Sequence, residues 1–213
     1  MNTSLTIPKS VLYPALRFAG YILVVLAVIG IIMLDTHHPW EKRFSETSWI
    51  ELTQHIFLLL SSLICAYVCR GRTFRNTAIL LLGFLTASFI RESDGFLDDF
   101  LFHGSWTLFV TPVCATVILL TWRNRLKFYD EMQTFLPSLS CGLFMGGFFT
   151  TYVFSRFIGR RFVWETILGG DYVRAVKRFT EESVELLGYT FLLFAAIELF
   201  LMARKGKTSK SSP

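Results

Sequence analysis

The chain has 213 residues, of which 53% are hydrophobic and only 17% are charged, and Phe alone occurs 22 times. Soluble domains are usually about 45–50% apolar and about 25% charged, so this composition excludes a disordered chain, a coiled coil and an ordinary water-soluble enzyme. The net charge of +5 does not indicate nucleic-acid binding, because Lys and Arg in a membrane protein first reflect its topology. We therefore expect membrane lipids, and no nucleic acid, as partners.

Six stretches are long and apolar enough, or nearly so, to span a membrane. A helix needs about 20 apolar residues to cross about 30 Å of hydrocarbon, and the ten-residue alternation of a membrane barrel is absent from the sequence. We therefore predict an all-α, polytopic bundle of six transmembrane helices. In chain order the predicted spans are 14–34, 49–69, 77–98, 104–122, 136–157 and 184–203.

These spans are predicted to form one domain, residues 1–203, followed by a basic disordered tail, 204–213. Gly142, Gly146 and Gly147 place small residues on the fifth span, and such a surface lets another helix approach closely. The Gly142/Gly146 face is thus the predicted contact for a second copy of the chain or for another membrane protein.

The positive residues predict the orientation of the bundle. Lys and Arg favour the cytoplasmic side of short loops. With both termini in the cytoplasm, twelve of the 21 Lys and Arg residues lie inside, including pairs in two short turns, Arg70 with Arg72 and Arg123 with Arg125. We therefore predict cytoplasmic N- and C-termini in a bacterial inner membrane.

With this orientation the acidic residues segregate to the outer side. Asp130, Glu131 and Glu198 are the exceptions among the 16 acids, and the four histidines also fall on the outer side. Acidic residues contribute little to insertion topology, so their asymmetry is independent of the rule that oriented the bundle. The outer side is where we look for function.

Three predicted helices bring ionisable side chains to the same outer depth. Glu51 and His55 are one turn apart, as are Glu181 and Glu185. If the third helix continues past Arg91, its Glu92, Asp99 and His103 share one stripe. Ionisable groups at membrane depth cost about 2.5–3.5 kcal/mol each on insertion scales and usually face the bundle interior.

These side chains predict a site with a divalent metal. Carboxylate and imidazole ligands together suit Zn or Mn, and carboxylates alone suit Mg. Glu51, His55 and Glu185 are the candidate catalytic acid or base groups. The candidate metal ligands are Glu92, Asp99, His103 and Glu181.

Each member of this set also has a structural interpretation. Ser48 and Glu51 have the spacing of a capping box, and acidic residues in a first turn favour the positive end of the helix dipole. A lone buried His is often a hydrogen-bonded packing residue, and Arg91 has neighbouring acids with which to pair. These interpretations would have to hold on three helices at once, and therefore we favour a site.

The connection before the sixth span mixes basic and aromatic residues. Arg174, Lys177 and Arg178 fall on one helical side and are the candidate ligands of a phosphate. The alternative is that they anchor the chain at anionic headgroups without a specific ligand.

The leading functional prediction is a metal-dependent membrane hydrolase or transferase that acts on a lipid or lipid-linked substrate at the outer leaflet. One alternative is a proton- or cation-coupled transporter with Glu198 as an inner relay, although no inverted repeat is present in the sequence. The other is a non-catalytic assembly or scaffold subunit whose acidic residues form structural ion pairs.

Overall fold

A computed structural model describes residues 8–36, 48–169 and 174–209, and these ranges are helical apart from short turns. The first six helices are α1 Lys9–Thr36, α2 Trp49–Cys69, α3 Arg75–Glu92, α4 Asp94–Phe100, α5 Trp106–Arg123 and α6 Arg125–Phe135. A longer helix follows in three parts: α7 Leu139–Phe148, a π-helical segment Phe149–Phe154 and α8 Ser155–Ile158. The short α9, Arg161–Leu168, precedes the 36-residue α10, Arg174–Ser209.

Five of the described helices are long and apolar enough to cross a membrane. They are Ser10–Thr36, Trp49–Cys69, Trp106–Arg123, Leu139–Ile158 and Arg174–Gly206. The prediction of an all-helical chain with membrane-spanning helices is thereby confirmed. The count differs from the predicted six, because the 18-residue α3 includes Arg75, Arg91 and Glu92 at its ends.

The predicted span 77–98 is not one helix. α3 ends at Glu92, and α4 begins at Asp94 after Ser93, whose backbone leaves the helical region with φ −91° and ψ 15°. The Ser93 hydroxyl donates to the carbonyl of Phe89 at 2.9 Å. Short polar side chains compete in this way with backbone hydrogen bonds, and the continuous stripe predicted from a single helix is therefore wrong.

α10 is longer than predicted at both ends. The predicted span was 184–203, whereas the helix runs from Arg174 to Ser209, about 54 Å at about 1.5 Å per residue. Residues 204–209 of the predicted disordered tail are therefore helical, and 210–213 lie outside the described residues. About 30 Å of hydrocarbon cannot cover such a helix, so part of it projects beyond the membrane.

α10 forms the centre of the bundle and packs chiefly against α2 and α7. Tyr189, Leu192 and Leu199 of α10 are buried there with apolar residues of α2 and α3. A Cβ on Gly147 of α7 would lie 2.8 Å from the carbonyl oxygen of Gly188 on α10. Small residues at this crossing therefore let the two backbones touch.

The helices alternate in direction, so the start of α1 lies at the same end of the bundle as the last part of α10. Arg17 Nη1 is 2.9 Å from Glu198 Oε2, and the Tyr21 hydroxyl donates to Glu198 Oε1 at 2.7 Å. At the other end, Asp35 near the end of α1 accepts from the Trp49 backbone N–H of α2 at 3.1 Å. The starts of α2 and α10 and the end of α3 meet at that second end.

Candidate functional site

A cavity of about 730 Å³ lies between the start of α2, the α3–α4 junction, α8 and the start of α10. We call it the charged cavity, because seven acidic and four basic side chains are among its lining residues. The lining residues are Glu51, Gln54, His55, Glu92, Ser93, Asp94, Gly95, Phe96, Asp99, Arg156, Arg174, Lys177, Arg178, Glu181, Glu182 and Glu185.

Nine of the ten residues predicted for the site line this one cavity. They are Glu51, His55, Glu92, Asp99, Arg174, Lys177, Arg178, Glu181 and Glu185. His103 does not line it: its side chain is 99% exposed, and Nδ1 lies 2.7 Å from Asp98 Oδ2 in the turn before α5. His103 follows the end of α4 at Phe100, so it belongs to neither α3 nor α4 and does not share a helix face with Glu92.

Helical spacing accounts for the convergence. α10 carries charged residues from Arg174 to Glu185 and then none until Glu198. This change from charged to apolar sequence marks the boundary of the apolar layer on α10, and the charged cavity lies at that boundary. Arg156 lies in α8, at the end of the apolar helix that runs antiparallel to α10. Its side chain therefore lines the cavity together with the charged residues at the start of α10.

Two arginines of the cavity each serve two carboxylates. Arg178 Nε is 2.7 Å from Glu182 Oε1, and Nη2 is 3.4 Å from Glu51 Oε1. Arg156 contacts Glu185 at 3.1 Å and Glu181 at 3.5 Å. Ion pairs of this kind satisfy charges that would be costly to leave unpaired at membrane depth.

Lys177 completes this part of the network, since its Nζ lies 3.0 Å from Glu181 Oε2. The phosphate ligands predicted on α10 thus divide into two kinds. Lys177 and Arg178 bind carboxylates of the protein, whereas Arg174 is exposed, and no polar contact of its side chain occurs within the described residues.

Glu185 and Glu92 are cavity carboxylates that accept hydrogen bonds from hydroxyl groups. Glu185 is 6% exposed and accepts from the Ser155 hydroxyl at 3.1 Å. Glu92 pairs with the neighbouring Arg91 and accepts from the Tyr189 hydroxyl at 2.6 Å. Both carboxylates are therefore held in place by hydrogen bonds and ion pairs within the bundle.

His55 makes contacts through both ring nitrogens. Nδ1 lies 2.8 Å from the carbonyl oxygen of Glu51 and donates to it, and Nε2 lies 3.3 Å from the Ser93 hydroxyl. The ring also packs edge-on against Phe89 at 5.5 Å, and His55 thereby links α2 to the α3–α4 junction.

The predicted metal site has no support in the geometry. Within 8–36, 48–169 and 174–209, no group of three or more His, Cys, Asp or Glu side chains is placed to hold one metal ion. Two of the carboxylates predicted as ligands have other partners: Glu181 contacts Arg156 and Lys177, and Glu92 contacts Arg91 and the Tyr189 hydroxyl. His37 and His38 lie outside the described residues.

Several residues of the site were not among the predicted ones. Arg156 and Tyr189 are the most important, because they hold Glu181, Glu185 and Glu92 in position. Tyr189 continues the one-turn spacing of Glu181 and Glu185, and this spacing could have identified it. No local pattern singles out Arg156, since its partners lie 25 and 29 residues further along the chain.

Glu198, predicted as a relay for transport, lies at the opposite end of α10 from the cavity. It is 4% exposed and binds Arg17 and Tyr21 of α1. Both partners come from the first helix. This cluster joins the long α1 to α10.

No family model matches this chain, and neither a curated protein nor a solved structure is similar to it.

Proposed function

We propose that this chain is a multi-pass membrane protein that binds the polar headgroup of a lipid or lipid-linked molecule in the charged cavity. The observation that carries the proposal is the position of the cavity. It is about 730 Å³ in volume, is lined mostly by charged side chains, and lies where α10 changes from charged to apolar sequence. Ligand pockets commonly have volumes of about 300–1,000 Å³.

An apolar flank beside the cavity supports an amphiphilic ligand. Phe96 lines the cavity and is 64% exposed, and Phe100, one turn further along α4, is 73% exposed. Their rings lie 4.7 Å apart and form an apolar surface on the short helix. A lipid can place its headgroup among the charged side chains and its acyl chain against these rings. A small soluble ion has no apolar part that could contact them.

The proposal places the cavity on the outer side of a bacterial inner membrane. The argument is the distribution of Lys and Arg, twelve of 21 of which belong to the segments at the other end. Hydrolysis or group transfer on the bound headgroup, with Glu51, His55 and Glu185 as acid or base groups and Zn, Mn or Mg as cofactor, stays a prediction. Its direct test is the metal content of the detergent-purified protein.

Native mass spectrometry of the protein in mild detergent tests headgroup binding. We expect a co-purified lipid bound one per chain. Asp99→Trp places a bulky ring at an exposed position of the cavity lining, and we expect it to reduce lipid occupancy at least about tenfold, which corresponds to about 1.4 kcal/mol.

The matched control is Asp130→Trp, which replaces an exposed acidic residue of α6 at the opposite end of the bundle. It should retain the lipid of the unmodified protein. The proposal fails if the unmodified protein binds no lipid, or if both Trp variants bind lipid as the unmodified protein does.

A further inference from the structure

α6 connects two membrane-spanning helices at the end of the bundle that lies opposite the charged cavity. The span of α5 ends at Arg123 and that of α7 begins at Leu139, and α6 fills most of the connection between them. Its Phe135 is buried with core residues of α2, α3 and α10. Its Glu131 accepts from the backbone N–H of Thr77, at the start of α3, at 2.8 Å. α6 is therefore held at the surface of the apolar layer, with one side against the bundle.

The other side of α6 exposes large apolar side chains. Leu126 is 77% exposed and Tyr129 is 66% exposed, and residues three positions apart are neighbours on a helix surface. Trp122, in the last turn of α5, is also exposed. Trp and Tyr are enriched where a membrane meets water. These side chains therefore mark a surface that suits contact with lipid.

Basic side chains lie beside these apolar ones. Arg123 ends α5, Arg125 begins α6 and Lys127 follows two positions later, and all three are exposed. No ion pair of any of them occurs within 8–36, 48–169 and 174–209. Asp130 is an exposed acidic residue of the same helix, so these four side chains together keep a net positive charge.

Helix stability does not account for the basic residues of α6. Cations stabilise the last turn of a helix and not the first, where the dipole is positive. Arg125 and Lys127 both lie in the first turn of α6, which contains no acidic residue. The turn before α3 adds the exposed Arg70 and Arg72 at the same end of the bundle. An anion bound here would offset this concentration of positive charge.

A phospholipid with an anionic headgroup matches both kinds of side chain. Its phosphate can be bound bidentately by an arginine, and its acyl chains can contact Leu126 and Tyr129. Helices that carry Lys and Arg together with exposed apolar side chains lie in the membrane interface, and they are attracted to anionic lipids. The position of α6 between the ends of two spanning helices places such a lipid within reach.

We propose that the exposed side of α6 and the end of α5 bind anionic phospholipids of the adjoining leaflet, with Arg123, Arg125 and Lys127 as ligands of the headgroup. We call this region the α6 surface; it consists of Trp122, Arg123, Arg125, Leu126, Lys127 and Tyr129. It lies at the opposite end of the bundle from the charged cavity, and its lipid is a second ligand that does not depend on the proposed function.

Quenching of a fluorescent label by brominated lipids tests the proposal with the whole protein in nanodiscs. The four cysteines are replaced by Ser, and Leu126→Cys carries the label on α6. The nanodiscs consist of phosphatidylcholine with the same small fraction of either brominated phosphatidylglycerol or brominated phosphatidylcholine. We expect the brominated phosphatidylglycerol to quench the label at least about threefold more strongly, because the basic residues enrich anionic lipid around α6.

The matched control places the label at the other end of α5. Leu108 lies in the first turn of that helix and is exposed, and no basic residue occurs in this turn. The label on Leu108→Cys should be quenched equally by the two brominated lipids. A preference for brominated phosphatidylglycerol as large as that at Leu126 would show a general effect of the bilayer and overturn the proposal.

Charge variants assign the enrichment to the named side chains. The triple variant Arg123→Gln, Arg125→Gln, Lys127→Gln should make quenching of the Leu126 label by the two lipids equal. Salt at 1 M, which shortens the Debye length to about 3 Å, should reduce the difference in the unmodified surface. Arg160→Gln removes an exposed basic residue at the other end of the bundle and should leave the difference unchanged.

Three results would overturn the proposal. The first is equal quenching of the Leu126 label by the two lipids in the unmodified surface. The second is an undiminished difference in the triple variant, which would show that these side chains are not the ligands. The third is the absence of quenching by both lipids, which would place α6 away from the membrane and favour an acidic protein segment as the partner of its basic residues.

Discussion

At the residue scale, charged side chains within the bundle act mainly through specific partners. Glu131 of α6 is an example outside the cavity. Its two oxygens accept from the backbone N–H and side chain of Asn76, at 3.3 and 3.0 Å, and from those of Thr77, at 2.8 and 2.9 Å. Phe74 precedes α3 with φ 57° and has no side-chain acceptor for this helix end, so Glu131 supplies the cap from another helix.

Glu131→Ala should therefore destabilise the protein. Removal of a capping acceptor costs about 0.5–2 kcal/mol, and loss of four contacts favours the upper part of that range. We expect a lower Tm in thermal unfolding of the detergent-solubilised protein. Asp130→Ala is the matched control, because Asp130 is the exposed neighbour on the same helix; equal Tm values for the two variants would exclude the capping role.

Residue spacing predicted part of the site. The one-turn pairs Glu51 with His55 and Glu181 with Glu185 were predicted from the sequence, and each pair lines the charged cavity. Spacing could not predict that these acids bind Arg156 and Arg178, since partner choice depends on how separate helices meet. The metal prediction assumed free carboxylates, and in the structure most of them have basic partners.

At the element scale, glycines decide which faces of the helices can touch. Gly147 lies against Gly188 and Leu192 of α10, whereas no atom of the described residues lies within 4 Å of a Cβ on Gly142 or Gly146. The small-residue segment of α7 thus has one face that packs within the chain and another that is open. The contact predicted at Gly142 and Gly146, with a second copy of the chain or another membrane protein, would use this open face and stays a prediction.

Gly147→Ala and Gly142→Ala separate these two faces. At Gly147 the new Cβ would meet backbone oxygen at 2.8 Å, which cannot move aside without shifting α10, and overpacking of this kind costs about 1–3 kcal/mol. We expect a lower Tm for Gly147→Ala. Gly142→Ala should leave Tm unchanged or raise it, because Ala favours a helix by about 1 kcal/mol over Gly.

The same pair of variants reports on oligomerisation. If size-exclusion chromatography with light scattering shows an oligomer that only Gly142→Ala disrupts, the open face is the contact. A Tm loss in Gly142→Ala as large as that in Gly147→Ala, with the protein monomeric, would contradict the packing described for α7.

At the scale of the whole molecule, the bundle has two chemically different ends. One end holds the charged cavity. The other holds α6, the Glu131 cap and the Arg17–Glu198 pair. Lys and Arg are more numerous in the segments of this second end, so it should face the cytoplasm.

Labelling of single cysteines with a membrane-impermeant maleimide tests this orientation, after Cys65, Cys69, Cys114 and Cys141 have been replaced by Ser. Asp99→Cys in α4 should react in intact cells. Asp130→Cys in α6 should react only after permeabilisation, because the two positions lie at opposite ends. The reverse pattern would invert the bundle, and reaction of both in intact cells would contradict their separation by the membrane.

Composition and hydropathy by themselves determined that the chain is helical and enters a membrane, because a long apolar helix is the form in which backbone groups are satisfied in lipid. The distribution of charged residues along the sequence also predicted that most acidic side chains lie at one end of the bundle. Only the tertiary structure decided that α3 ends at Glu92, that His103 lies outside the site, and that Arg156 and Arg178 each divide their charge between two carboxylates. The physical reason is that periodicity along one helix determines which residues share a face, whereas pairing between helices depends on their crossing and axial offset, which no single segment specifies.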